Sequence, residues 1–143
     1  MAAEEPALPA VPAKGHETIL LVEDEEGIRM MTRAYLLGLG YTVLEAKDGA
    51  EALQISRSHQ GRIDLLLSDI LMPGMKGDEL ARMLTRERPG IQTMFVSGYA
   101  SAHELDPHIK VVEKPFTFPD LGREIRETLD QEKTEFPQQR RAS

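Results

Sequence analysis

The sequence has no cysteine, which removes a disulfide framework, thiolate catalysis and a cysteine-based zinc site together. It is also short of basic charge. Against 24 Asp and Glu stand 17 Lys and Arg, a net charge of −7, the wrong sign for a surface that grips a nucleic-acid backbone. Long apolar runs are missing: none approaches the roughly 20 residues of a membrane span, and no signal-peptide apolar stretch follows Met1. The histidines, His16, His59, His103 and His108, are scattered without paired ligand spacing, which disfavours zinc or copper. No internal repeat is visible. What is present is a chain of 143 residues, 41% of them hydrophobic, enough for one core and too short for a second domain. The expectation is a cytoplasmic protein that contacts neither nucleic acid nor membrane.

Residues 1–16 read as a Pro/Ala-rich linker, because Pro6, Pro9 and Pro12 recur every three residues, a spacing that suits polyproline II. The folded domain is expected over 17–130. Its first strand is Thr18 to Val22, a continuous apolar run of the kind covered on both faces, followed by four acids, Glu23 to Glu26. A helix with Ile28, Met31, Tyr35, Leu36 and Leu39 on its buried stripe comes next. The second strand is Tyr41 to Ala46, and Asp48 caps a helix that buries Ala52, Leu53 and Ile55. The third strand, Ile63 to Leu67, leads into the loop at residues 68–80, with Asp69 followed by Pro73, Gly74 and Gly77. A helix carrying Leu80, Met83 and Leu84 stops at Pro89-Gly90. The fourth strand, Thr93 to Val96, ends at Ser97-Gly98. Only a short helix, around Ser101 to Leu105, fits before the fifth strand, Ile109 to Val112, which ends at Lys114-Pro115. Thr117 to Asp120 opens a last helix with the stripe Phe118, Leu121, Ile125 and Leu129. Residues 131–143 read as a polar C-terminal tail.

Strands alternating with helices, with little slack, predict an α/β fold with a doubly wound five-stranded parallel sheet. In such sheets ligands bind beyond the carboxyl ends of the strands. Those ends carry Glu23 and Asp24, then Asp69, Ser97 and Lys114. Each has an ordinary explanation when taken alone. An aspartate after a strand satisfies turn or cap donors, and acids in a first helical turn suit the helix dipole. Together they put three carboxylates, a hydroxyl and an ammonium at one rim. Two carboxylates about 4 Å apart repel by roughly 4 kcal/mol at an effective dielectric near 20. Three cannot all stay ionised unless a cation joins them or a pKa rises. A hard divalent ion with oxygen ligands, Mg²⁺, meets that need. Asp69 is then placed to attack phosphorus, with Lys114 and Ser97 to stabilise the phosphoryl oxygens.

The stretches ILLVEDEE, DLLLSDILMPGMKGDEL, MFVSGYA and VVEKPFT resemble the receiver domain of two-component response regulators, over about residues 17–130. The resemblance implies a flavodoxin-like strand order 2-1-3-4-5 and Asp69 as phosphoacceptor. It assigns Glu23 and Asp24 to the metal-binding acidic pair, with the Leu71 backbone carbonyl as a further Mg²⁺ ligand. Ser97 becomes the switch hydroxyl and Lys114 the phosphate-binding lysine, and the Lys114-Pro115 bond is expected to be cis. The implied partner is a histidine kinase or a histidine phosphotransfer protein, and the implied state a monomer or weak dimer. The chain is then a stand-alone receiver or one from a hybrid histidine kinase. It is not an ordinary enzyme but a phosphoacceptor that assists its own phosphorylation and dephosphorylation.

The sequence departs from the family pattern twice. Val111 occupies the place of the aromatic switch residue, three positions before the lysine, and the segment from Ser97 to Lys114 leaves a shortened fourth helix. These departures leave open an alternative, a phosphorylation-independent interaction module on a receiver fold. A phosphatase with an aspartate nucleophile is disfavoured, since its usual second acid would stand at Leu71.

Overall fold

Strand β1, Thr18–Val22, is the centre of the molecule. Its alternating side chains go to opposite faces, as the twofold period of a strand requires. Ile19 and Leu21 join one core cluster, Leu20 and Val22 the other. The computed structural model describes residues 14–98 and 110–142, with side chains as far as Gln131. Along the chain follow α1 (Glu26–Gly38), β2 (Thr42–Ala46), α2 (Gly49–Ser58), β3 (Leu65–Asp69), α3 (Gly77–Glu87), β4 (Gln92–Ser97), β5 (Lys110–Glu113) and α4 (Phe118–Ala142). The sheet order is β2-β1-β3-β4-β5, and every pairing is parallel. The order reverses beside β1 and β3, so the carboxyl ends of these two strands open the crevice where doubly wound folds bind ligands.

One face of the sheet is covered by α1 and α4, through Leu36, Leu39, Leu121, Ile125 and Leu129 on Leu65, Leu67, Met94 and Val96. The other is covered by α2 and α3, through Ala52, Leu53, Leu80 and Leu84 on Leu66 and Ile63. The last helix buries Leu121, Ile125 and Leu129 as its periodicity predicts, with Phe118 stacked on Tyr35 at 5.1 Å between ring centroids.

Several expectations need correction. On α1 the predicted stripe began at Ile28 and Met31, yet these are 39% and 60% exposed, and the buried residues are Thr32 and Leu36. The reason is polar: Thr32 takes a buried place by donating its hydroxyl to the Ile28 carbonyl at 2.8 Å, a local bond that removes the penalty of burying it. Strand β3 begins two residues later than expected and includes Asp69 as its last residue. The last helix continues through the predicted polar tail to Ala142; Glu, Gln, Lys and Arg are good helix formers and polarity alone does not end a helix, although Pro137 opposes the continuation. Residues 14–16, read as linker, are hydrogen-bonded to the domain, with Gly15 N–H on the Leu39 carbonyl at 3.0 Å. The short helix expected around Ser101 to Leu105 and the linker up to residue 13 lie outside the described residues.

Candidate functional site

Where β1 ends, Glu23 continues the sheet by donating its N–H to the Ala46 carbonyl at 3.1 Å, and only 4% of the residue is exposed. Its carboxylate accepts from the Glu25 N–H at 3.1 Å and its carbonyl from Arg29 at 2.8 Å. Arg29 and Arg33 also reach Glu45 on β2, at 3.2 and 3.1 Å. The acidic corner is therefore held on two sides. Asp24, one residue on, is exposed.

Where β3 ends, Asp69 pairs in register with Val96. Its Oδ2 accepts from Lys114 Nζ at 3.0 Å and its Oδ1 from the Leu71 N–H at 3.2 Å, and its side chain is 14% exposed. The loop then closes tightly: Gly77 N–H donates to the Ile70 carbonyl at 2.8 Å. A Cβ on Gly77 would run into the Asp69 carbonyl and the Phe95 ring, so this glycine is required by close approach rather than by a turn angle. Gly74 does need its freedom, at φ +80°.

The two strand ends converge. One carboxylate oxygen each from Glu23, Asp24 and Asp69 lies within 4.8 Å of the others, where each pair repels by roughly 3–4 kcal/mol at an effective dielectric near 20. Burial pushes the Glu23 carboxyl up, with Asp69 and Asp24 adding to the effect against the Glu25 N–H and Lys114. For Lys114, burial opposes the charge but is outweighed by the hydrogen bond and charge of Asp69, with Glu23 and Glu25 beyond, and its pKa is raised. One ammonium among three carboxylates leaves the cluster negative. Three converging oxygen donors, without nitrogen or sulfur, are the donor set of a hard divalent cation.

Ser97 lies at the end of β4, one residue past the partner of Asp69, and is buried. Its hydroxyl donates to the Gly98 carbonyl at 2.7 Å, and its own carbonyl accepts from the Lys114 N–H at 2.8 Å, so β4 and β5 fix the lysine against the site. The Lys114-Pro115 bond is cis, as expected. Leu71 is 58% exposed at the rim. Val111 sits on β5 opposite Phe95, half-buried. Sequence reasoning missed Arg29, which braces the acidic pair, because nothing local marks a helix side chain that reaches back to a strand carbonyl. It also missed the outer surface of α1, where Ile28, Met30, Met31 and Leu37 are all exposed.

Comparison with known proteins identifies the family. The family model of the response regulator receiver domain matches residues 19–126, and the chain belongs to that family. It is 40% identical over 128 residues to the sensor kinase CckA of Brucella abortus (strain 2308), a match covering 86% of this chain and 14% of the kinase. To the response regulator receiver protein CpdR of the same organism it is 38% identical over 117 residues, covering 78% of this chain and 95% of that protein. The crystal structure of the receiver domain from the hybrid histidine kinase CckA superposes with a TM-score of 0.64 at 36% identity, covering 78% of this chain and 98% of that one. The chain thus spans about a seventh of the kinase it matches and nearly the whole of CpdR. Its role is that of a phosphoacceptor receiver in two-component signalling, and the phosphorylation-independent alternative is not favoured.

Proposed function

We propose that Asp69 takes a phosphoryl group from a phosphohistidine on a histidine kinase or histidine phosphotransfer protein. The observation that carries this reading is the convergence of the Glu23, Asp24 and Asp69 carboxylates with Lys114 on Asp69 at 3.0 Å. An Asp69 carboxylate oxygen attacks phosphorus and the P–N bond to the imidazole breaks. The imidazole nitrogen leaves with the electron pair and takes up a proton. Lys114 meets the charge on the phosphoryl oxygens, and the Leu71 N–H and Ser97 hydroxyl can donate there on leaving their present acceptors, the Asp69 carboxylate and the Gly98 carbonyl. The residues fit Mg²⁺, which Glu23, Asp24, Asp69 and the Leu71 carbonyl would hold. When bound, the ion supplies neutralisation of the carboxylates and of the phosphoryl oxygens.

The exposed apolar side chains of α1 support a protein as the phosphodonor. This helix starts two residues after Asp24, and a row of uncharged side chains beside a charged rim is a feature of protein-binding surfaces. The full chain incubated with acetyl phosphate and Mg²⁺ gains one phosphate by intact-mass spectrometry, and Asp69→Asn gains none. An adduct of equal yield in both proteins would remove Asp69 from its role.

A further inference from the structure

At the end of the sheet away from Asp69, a second charged cluster surrounds the point where the chain joins β1. Glu17, the residue before β1, is 7% exposed. Arg126, on α4, grips it with both terminal nitrogens, at 2.6 and 3.2 Å. The same guanidinium reaches the Lys14 carbonyl at 3.0 Å, the Tyr41 hydroxyl at 3.4 Å and Asp130 at 2.9 and 3.2 Å. All of its N–H directions are thereby used, which only the planar fork of arginine allows. Gly15 lies beneath this grip, and a Cβ there would strike both the Tyr41 ring and Arg126. Gly40, at φ +105°, faces the Gly15 carbonyl, so that a Cβ on it would collide with the same strap. Two glycines and one arginine thus form a seat that fits the backbone of residues 14–17 and no bulkier segment.

We infer that Lys14 to Glu17 form a strap clamped by Arg126, which anchors the entry into β1 against α4 at the end of the sheet remote from Asp69. Strand β1, about 16 Å long for its five residues, separates the strap from the acidic corner at Glu23. The strap and the site thus lie at opposite ends of the sheet. The strap also couples the two flanks of the domain, because the residue that holds the incoming chain is carried on the outgoing helix.

The Lys14–Gly15 bond is a trypsin site, which makes the strap measurable in the full chain. Its cleavage rate is referred to that of the same variant unfolded in urea. It is expected to be slow in the wild type and at least tenfold faster in Arg126→Ala and in Gly15→Val. Gly15 touches no residue of the site, so phosphate uptake by Gly15→Val from acetyl phosphate confirms that its domain is folded, and the test survives if Arg126→Ala unfolds. Equal relative cleavage in the wild type and Gly15→Val overturns the strap. Slow cleavage restored by Arg126→Lys overturns the guanidinium fork as its clamp.

Discussion

Two buried glutamates bracket β1, and their surroundings are opposites. Glu17, ahead of the strand, has its carboxylate gripped by Arg126, with Tyr41 and Asp130 completing the cluster. Burial pushes its pKa up, but the hydrogen bonds from Arg126 and from the backbone outweigh this and hold it at about 2. Glu23, behind the strand, faces Asp24 and Asp69 instead, and its pKa is raised. The same side chain in the same strand environment is satisfied at one end and crowded at the other. A fold with no task at its upper rim has no reason to keep three carboxylates together there. The lower cluster is neutralised within the fold, and the upper one is left with the excess negative charge that the proposed function uses.

Removing the cation at each end should separate the two roles. Arg126→Ala leaves Glu17 buried without its counter-charge. Loss of one partner from a buried pair costs about 3–5 kcal/mol, so the melting temperature should fall by roughly 10 °C. Lys114→Ala should act the other way. Its side chain is 36% exposed, so loss of the cation among the carboxylates should lower stability by only about 1 kcal/mol, far less than at Arg126. Phosphate uptake from acetyl phosphate, followed by mass spectrometry, should slow by about 100-fold as the stabilising charge is lost. A collapse of stability in Lys114→Ala with uptake intact would reverse the comparison.

Acid should find the lower cluster next. The folded pKa of Glu17 lies at about 2 against an ordinary 4.5, so between these values the unfolded chain binds more protons than the folded one, and stability rises with pH. The contribution, about 3 kcal/mol, is complete above pH 4.5 and drains away as pH falls toward 2. Melting temperatures across this window should show a steeper slope in the wild type than in Glu17→Gln. Parallel curves would mean that Glu17 is not held as its contacts with Arg126 require.

Much of the upper site was legible from sequence because each part sits at a strand end that local pattern marks. The apolar run of β1 delivers Glu23 and Asp24, that of β3 delivers Asp69, and the cis Lys114-Pro115 follows β5. The lower cluster was not legible. Glu17 and Arg126 stand 109 residues apart, each with an ordinary local reading as a polar residue beside a strand and a solvated helix position. Gly15 looked like linker because its requirement is a collision with Tyr41 and Arg126 that only the packed chain reveals. The stripe of α1 was misread for a related reason. Periodicity ranks residues by apolarity, whereas Thr32 is buried through one hydrogen bond and Met31 is left outside.

The smallest effect bears most directly on the central claim, that the carboxylates at the upper rim are crowded and only partly neutralised. It is the melting temperature of the wild type and of Asp69→Asn, each with and without Mg²⁺. Mg²⁺ at about ten times its dissociation constant should stabilise the wild type by about 1.4 kcal/mol. Asp69→Asn should melt higher than the wild type in metal-free buffer and gain less from the ion, since one of the repelling charges is gone. Melting that neither Mg²⁺ nor the substitution changes would contradict the account, because the three carboxylates would then not share a site.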